Sequence, residues 1–184
     1  MWKLIVDNKE WLFSGLGIAI ITVLWKLFIV VKNNANNNNE KTDENKEINR
    51  EISLQKAKEV THILFIDDDV KFKVVKILKN SGWLNTNLVK DIKSLDANEL
   101  LNSHIIFVDI QGVGKELGFQ DEGLGLAMAI KNKHSLKRVI IYSAESQGDR
   151  FHKALKQADS FLAKNADPYE FQQLVEEYAN YEQQ

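Results

Sequence analysis

The chain has 184 residues, of which 44% are hydrophobic and 27% charged, with a formal net charge of −2 and no cysteine. The small negative charge gives no bulk signal for nucleic acid, so we expect no nucleic-acid partner. The absence of cysteine excludes disulfides and thiolate metal sites, and the length fits one ordinary domain with an additional segment.

The N-terminal part of the chain contains a long apolar run. Residues 11–31 include one charged side chain, Lys26, and follow a short tail, residues 1–10. A helix of this length reaches about 30 Å, the thickness of a bilayer core, so the run predicts a single transmembrane helix. A signal peptide or a buried core helix is the alternative, but a polar tract without a small-residue cleavage pattern follows. Lys26 and Lys32 favour a cytoplasmic position for the rest of the chain.

Residues 32–60 are rich in Asn, Glu and Lys. Such a composition buries too little apolar surface to offset chain entropy, and it predicts a flexible polar linker. The last part, EINREISLQKAKEV, could instead form a short helical stalk.

From residue 61 to residue 184 the pattern alternates between short apolar runs and amphipathic stretches. The predicted strands are residues 62–66, 87–89, 104–110, 138–143 and 160–163. The predicted helices are residues 70–81, 95–102, 122–133, 147–158 and 167–181. Uninterrupted apolar strands between helices are typical of a doubly wound α/β domain with a parallel sheet.

Polar side chains follow four of the five predicted strands. Asp67, Asp68 and Asp69 follow the first, Asp109 ends the third, Ser143 ends the fourth, and Lys164 follows the fifth. In a parallel sheet all of these groups would meet at one edge. Clustered carboxylates indicate a hard cation such as Mg²⁺, and a lysine, a hydroxyl and the backbone amide of Ala144 suit phosphoryl oxygens. An aspartate can also act as the nucleophile and form an aspartyl phosphate.

Residues 62–178 resemble the receiver domain of two-component response regulators (CheY-like). The resemblance rests on ILFIDDD, IIFVDI, VIIYSA and ADSFLAK, which occur in the family's order, and on EGLGLAMAIK, which is similar to the helix after the phosphoacceptor. It implies a (βα)5 flavodoxin-like fold and a signalling module of a phosphorelay rather than an enzyme.

The resemblance also implies roles for individual residues. Asp109 would be the phosphoacceptor, and Phe161 would be the aromatic residue that changes rotamer on activation. Asp69 would be the N-cap of the following helix. The implied Mg²⁺ ligands are Asp67, Asp68, Asp109 and the backbone carbonyl of Gln111, and the implied phosphate-binding groups are Ser143, the Ala144 amide and Lys164.

Two features depart from the family pattern. Asn165 follows the lysine where the family usually has proline, so the geometry of that loop is open. The stretch QGVGKELGFQDEG after Asp109 is longer than usual, and Leu117 and Phe119 within it could form a lid or a partner contact.

The resemblance implies a histidine kinase or a phosphotransfer protein as the phosphoryl donor. It also suggests a homodimer through the fourth helix, fifth strand and fifth helix, that is 147–158, 160–163 and 167–181. One alternative is a pseudo-receiver that acts as a membrane-tethered interaction scaffold without phosphorylation. A haloacid-dehalogenase-like phosphatase, with Asp67 as nucleophile and Asp69 as acid, is a further alternative, but it leaves Asp109 without a role.

Overall fold

The computed structural model describes residues 15–144, 156 and 158–181, and side-chain surroundings for residues 22–29, 46–144, 156 and 158–179. The chain divides into two compact units, Met1–Glu51 and Ile52–Gln184.

A long helix, α1, runs from Gly15 to Val60. It covers residues 32–60, so the predicted flexible linker is helical instead. The tract contains neither Gly nor Pro, and its Glu, Lys, Gln and Ala residues are good helix formers, so nothing within it interrupts the helix. The predicted transmembrane segment, 11–31, lies partly outside the described residues. Among the residues that are described, no helix combines the length and the hydropathy that a membrane span requires.

The second unit is built on one sheet of five parallel strands in the order β2-β1-β3-β4-β5. The strands are β1 (Ile63–Ile66), β2 (Thr86–Val89), β3 (Ile105–Asp109), β4 (Arg138–Ser143) and β5 (Ser160–Ala163). This confirms the predicted doubly wound sheet. Because β1 and β3 are neighbours although β2 lies between them in sequence, the strand order reverses there. In open α/β sheets, ligands bind at the carboxyl ends of the strands at such a reversal.

Helices cover both faces of this sheet. They are α2 (Lys73–Asn80), α3 (Asn98–Leu101), α4 (Gly123–Lys133) and α5 (Pro168–Tyr181). One apolar layer lies under α2 and α5 and includes Phe65, Phe107 and Phe171; we call it the α2/α5 layer. The other lies under α3 and α4 and includes Ile66, Val108 and Leu126; we call it the α3/α4 layer. Strands buried on both faces explain why the sequence shows continuous apolar runs.

The C-terminal end of α1 belongs to the second unit. Ala57 is fully buried in the α2/α5 layer and Leu54 packs against it. The Lys58 ammonium lies 6.0 Å from the centroid of the Trp83 ring, and the Asn85 side-chain amide donates to the Glu59 carbonyl at 2.8 Å. The compact unit therefore begins at Ile52 rather than at residue 61.

The first two helices of the sheet domain are shorter than predicted. α2 begins at Lys73 instead of residue 70, and α3 is the short segment Asn98–Leu101 instead of 95–102. The predicted helix at 147–158 lies outside the described residues except for positions 156 and 158. The same is true of that part of the suggested dimer face.

Candidate functional site

Three aspartates meet at the carboxyl edge of the sheet. Register pairs Ile66 of β1 with Val108 of β3, so Asp67 and Asp109, which come next in each strand direction, lie side by side. Carboxylate oxygens of Asp67, Asp68 and Asp109 all lie within 4.8 Å of one another. Asp67 and Asp109 are buried, whereas Asp68 is exposed. The structure thus brings together the three aspartates that the sequence predicts.

Lys164 joins two of these carboxylates. Its Nζ donates to Asp109 Oδ2 at 2.6 Å and to Asp67 Oδ1 at 2.9 Å. Burial would lower the pKa of Lys164, but its hydrogen bonds to Asp109 and Asp67 outweigh this effect and raise it. The lysine therefore stays charged and offsets part of the local negative charge.

The surroundings of Asp109 disfavour its ionised form. Its side chain is 4% exposed, and burial raises its pKa above the ordinary 3.8 although the bond to Lys164 works in the opposite direction. The neighbouring charge of Asp67 adds to the rise. An added cation would remove this penalty, because it would favour the ionised form of the carboxyl.

The loop after Lys164 has Asn165 where the family pattern usually has proline, and it nevertheless places Lys164 at the carboxylates. No peptide bond among the described residues is cis, so Asn165 follows Lys164 through a trans bond. The Lys164 amide donates to the Ser143 carbonyl at 2.7 Å, which fixes the loop to the end of β4. Lys164 therefore reaches both carboxylates although proline is missing.

The other predicted phosphate-binding groups lie at the same edge. Ser143 is buried at the end of β4, beside Ala163 in register, and Ala144 follows it as an exposed residue. Phe161 on β5 is half-buried and packs against the α3/α4 layer. Its role as the switch aromatic, with the rotamer change, stays a prediction.

The long loop after Asp109 is held by side chains that the sequence analysis did not single out. Asp91, in the loop after β2, accepts hydrogen bonds from the amides of Gly114 at 2.8 Å and Glu116 at 3.1 Å. Glu122 accepts one from the amide of Gly112 at 2.8 Å. Leu117 and Phe119 pack against the α3/α4 layer, so in this structure they fix the loop and do not form a free lid.

Two glycines allow this loop to approach the aspartates. Gly112 has φ +83°, and a Cβ there would lie 2.3 Å from Asp68 Oδ2. A Cβ on Gly123 would lie 1.7 Å from the carbonyl oxygen of Asp109.

Gln111, the predicted carbonyl ligand, is exposed in the same loop. The N–H of the peptide that joins Gln111 to Gly112 donates the hydrogen bond that the Glu122 carboxylate accepts. Because N–H and C=O point in opposite directions in a trans peptide, this bond orients the Gln111 carbonyl.

Asp69 is not a helix N-cap, which corrects the sequence prediction. The N-cap of α2 is Phe72, with no side-chain bond to the helix. Asp69 Oδ1 accepts from the amide of Lys71 at 2.9 Å, and the Asp69 carbonyl accepts from the amide of Phe72 at 3.1 Å. The aspartate forms a local turn that delays the helix, as short acidic side chains often do.

The donor set fits a hard divalent cation. The carboxylates of Asp67, Asp68 and Asp109 supply only oxygen ligands, which Mg²⁺ prefers. Asp67, Asp68 and Asp109 are the side chains that would hold the ion.

Sequence reasoning missed Tyr142 and Phe72. The Tyr142 hydroxyl donates to Asp67 Oδ2 at 2.7 Å, and both rings lie 5.8 Å from the Lys164 ammonium. The signal that could have indicated Tyr142 is a hydroxyl within the otherwise apolar part of RVIIYS, directly before Ser143.

Comparison with solved structures places the fold. No protein-family model matches the chain, and no curated protein does. NtrX from Brucella abortus, crystallised with ATP, aligns with a TM-score of 0.53 and 22% identity over 67% of this chain. The chain spans only 28% of that longer protein.

Isolated receiver domains align over nearly their whole length. A receiver domain protein (CheY-like) from Methanospirillum hungatei gives a TM-score of 0.53 at 17% identity, covering 67% of this chain and 97% of that one. The receiver domain of Brucella abortus NtrX gives 0.51 at 24% identity, covering 64% and 97%. Two thirds of this chain therefore has the fold of response-regulator receiver domains.

Proposed function

We propose that this protein is a receiver-type signalling module that is phosphorylated on Asp109 in a Mg²⁺-dependent manner. The observation that carries the proposal is the contact of Lys164 Nζ with Asp109 Oδ2 at 2.6 Å, within the cluster of three aspartates. Phosphoryl transfer needs positioning and charge neutralisation more than covalent machinery, and this edge of the sheet supplies both.

The roles of the side chains follow from their positions. An Asp109 oxygen attacks the phosphorus of a donor, the bond from phosphorus to the donor breaks, and the leaving group departs with the bonding electrons. Lys164, already beside Asp109, pairs with a phosphoryl oxygen, and Ser143 and the Ala144 amide are the further donors. Mg²⁺ bound by the aspartates would supply charge neutralisation on the transferring group.

Asp67 is poorly suited to be the nucleophile. It is fully buried and accepts bonds from Lys164, Tyr142 and the Asp69 amide. A carboxylate that already receives three donors is a weak nucleophile, and these bonds hold it in place. This favours Asp109 over the phosphatase alternative, in which Asp67 would attack. We accordingly propose that the protein is not an enzyme but a switch.

The output that we propose is a change in protein–protein contacts. The phosphoryl donor would be a histidine kinase or a phosphotransfer protein, and the half-buried Phe161 would couple the site to the surface near β5 and α5. A homodimer through that surface is part of the proposal. Residues 11–31 would anchor the protein in a membrane, because their composition is that of a membrane span. Lys26 and Lys32 favour an orientation with the sheet domain in the cytoplasm.

The test is phosphorylation of the full chain in a mild detergent with acetyl phosphate and Mg²⁺, read as a mobility shift on a phosphate-affinity gel. We expect a shift for the wild type, its loss when the metal is chelated, and its loss in Asp109→Asn. The matched control is Asp96→Asn, an exposed aspartate that pairs with Lys133, which should label like the wild type. A wild type that never shifts would contradict the proposal and favour the phosphorylation-independent scaffold.

A further inference from the structure

Tyr142 is a polar side chain in an apolar layer. It lies on β4, is fully buried, and has ring neighbours Phe72 at 5.2 Å and Phe65 at 5.8 Å between centroids. Among the described residues that are buried in the α2/α5 layer, only Tyr142 and Trp83 carry a polar side-chain atom; the partly buried Tyr178 packs against the layer. A buried hydroxyl is costly unless it is hydrogen-bonded, and its partner here is Asp67 Oδ2 at 2.7 Å.

The bonds to Asp67 leave its carboxylate little freedom. Oδ1 accepts from the Asp69 amide and from Lys164, both at 2.9 Å, while Oδ2 accepts from Tyr142. A carboxylate offers about four acceptor directions, so the main remaining direction is on Oδ2. The hydrogen bond from the phenol therefore determines which acceptor direction of the Asp67 carboxylate remains available to the cluster with Asp68 and Asp109.

The same side chain also contacts the partner of Asp67. The Lys164 ammonium lies 5.8 Å from the centroids of both the Tyr142 and Phe72 rings, which is within the range of a cation–π contact. Burial, together with the charge of Asp67, raises the pKa of Tyr142 well above its ordinary value, so the phenol remains a proton donor at every pH of interest. Tyr142 thus contacts both members of the Asp67–Lys164 pair, Asp67 through its hydroxyl and Lys164 through its ring.

We propose that Tyr142 is a positioning residue for the divalent-cation site, acting through Asp67 and Lys164 without contacting the cation. This inference rests on the proposed function, since it concerns the same cluster. Hydrogen bonds to a ligating carboxylate orient it, and their loss commonly weakens metal binding by about 10-fold or more.

The test is the dissociation constant for Mg²⁺ itself, measured by calorimetric titration of the full chain in a mild detergent without any phosphodonor. In Tyr142→Phe the ring remains and only the hydroxyl is lost. We expect Mg²⁺ to bind about 10-fold more weakly than in the wild type. The matched control is Phe171→Leu, which alters a fully buried ring 6.0 Å from Tyr142 but removes no polar contact. The control should lower thermal stability and leave Mg²⁺ affinity unchanged.

A double-mutant cycle separates positioning from general packing. In an Asp67→Asn background, removing the Tyr142 hydroxyl should change Mg²⁺ affinity no further, because the partner of the phenol is already altered. Equal affinity of Tyr142→Phe and wild type, an equal loss in Phe171→Leu, or a further loss in the Asp67→Asn background would each overturn the inference. A wild type that binds no Mg²⁺ would instead contradict the proposed function.

Discussion

Asp109 and Lys164 form a close ion pair, but the charge of Lys164 only partly compensates the negative charge around it. The ammonium lies 2.6 Å from Asp109 and 2.9 Å from Asp67, so one positive charge is shared between two buried carboxylates. Burial is the largest influence on Asp109, and it raises the pKa of that carboxyl. The ionised carboxylate of Asp109 therefore destabilises the fold when no metal is bound. A bound cation, or a rearrangement of Lys164, can offset this negative charge.

This imbalance predicts how stability depends on pH. Because the folded chain holds the Asp109 proton to a higher pH than the unfolded chain, the free energy of unfolding falls as pH rises through the raised pKa. Asp109→Asn cannot titrate, so its stability advantage over the wild type should grow through that window, which lies above pH 3.8. Thermal melts without metal at a series of pH values measure this, and we expect a gain of a few degrees at neutral pH. Asp96→Asn, at an exposed surface pair, should show no such trend.

The site was largely predictable because strand ends are visible in a sequence. Asp67, Asp109, Ser143 and Lys164 each follow an apolar run, and parallel pairing brings such positions together. The partners supplied by distant elements were not predictable. Tyr142 bonds to a residue 75 positions away and Asp91 to one 23 positions away. Only the register of the strands and the path of the loop decide those contacts.

At the level of elements, α1 is the largest departure from expectation. Asn-rich composition indicates a linker, yet the helix continues to Val60 because no Gly or Pro ends it. Its last turns then find apolar surface at Ala57 and Leu54, a tertiary contact that composition does not reveal. The strands, by contrast, were predicted to within a residue or so, since continuous apolar runs bounded by polar residues have few alternatives.

The role of α1 in the second unit predicts a large stability effect at one position. Ala57→Glu places a charge in the α2/α5 layer and should cost about 3–5 kcal/mol in the free energy of unfolding. Gln55→Glu, at an exposed position of the same helix, introduces the same group and should change stability by less than about 0.5 kcal/mol. Chemical denaturation of the two variants measures the difference. Equal stabilities would show that α1 does not contribute to the core.

At the level of the whole molecule, the sequence joins an apolar N-terminal run to a sheet domain that carries the candidate site. Anchoring such a domain at a membrane would restrict its diffusion and raise its effective concentration for membrane-bound partners. The sheet domain and its aspartate cluster lie within the unit Ile52–Gln184, whereas the N-terminal run belongs to the unit Met1–Glu51.

The proposed anchor has a direct cellular test. Residues 11–31 should keep the full chain in the membrane fraction after alkaline carbonate washing, which removes peripheral proteins. A variant lacking residues 1–31 should move to the supernatant while its sheet domain still takes up phosphate from acetyl phosphate. Recovery of the full chain in the washed supernatant would refute the anchor without affecting the proposed chemistry of Asp109.

The most direct measurement is to locate the phosphoryl group. After phosphorylation with acetyl phosphate and Mg²⁺, borohydride reduces an aspartyl phosphate to homoserine, which peptide mass spectrometry assigns to one position. Phosphorylation of Asp109 predicts homoserine at position 109 and at no other aspartate. Homoserine at position 67, or none at any position in the presence of Mg²⁺, would contradict it.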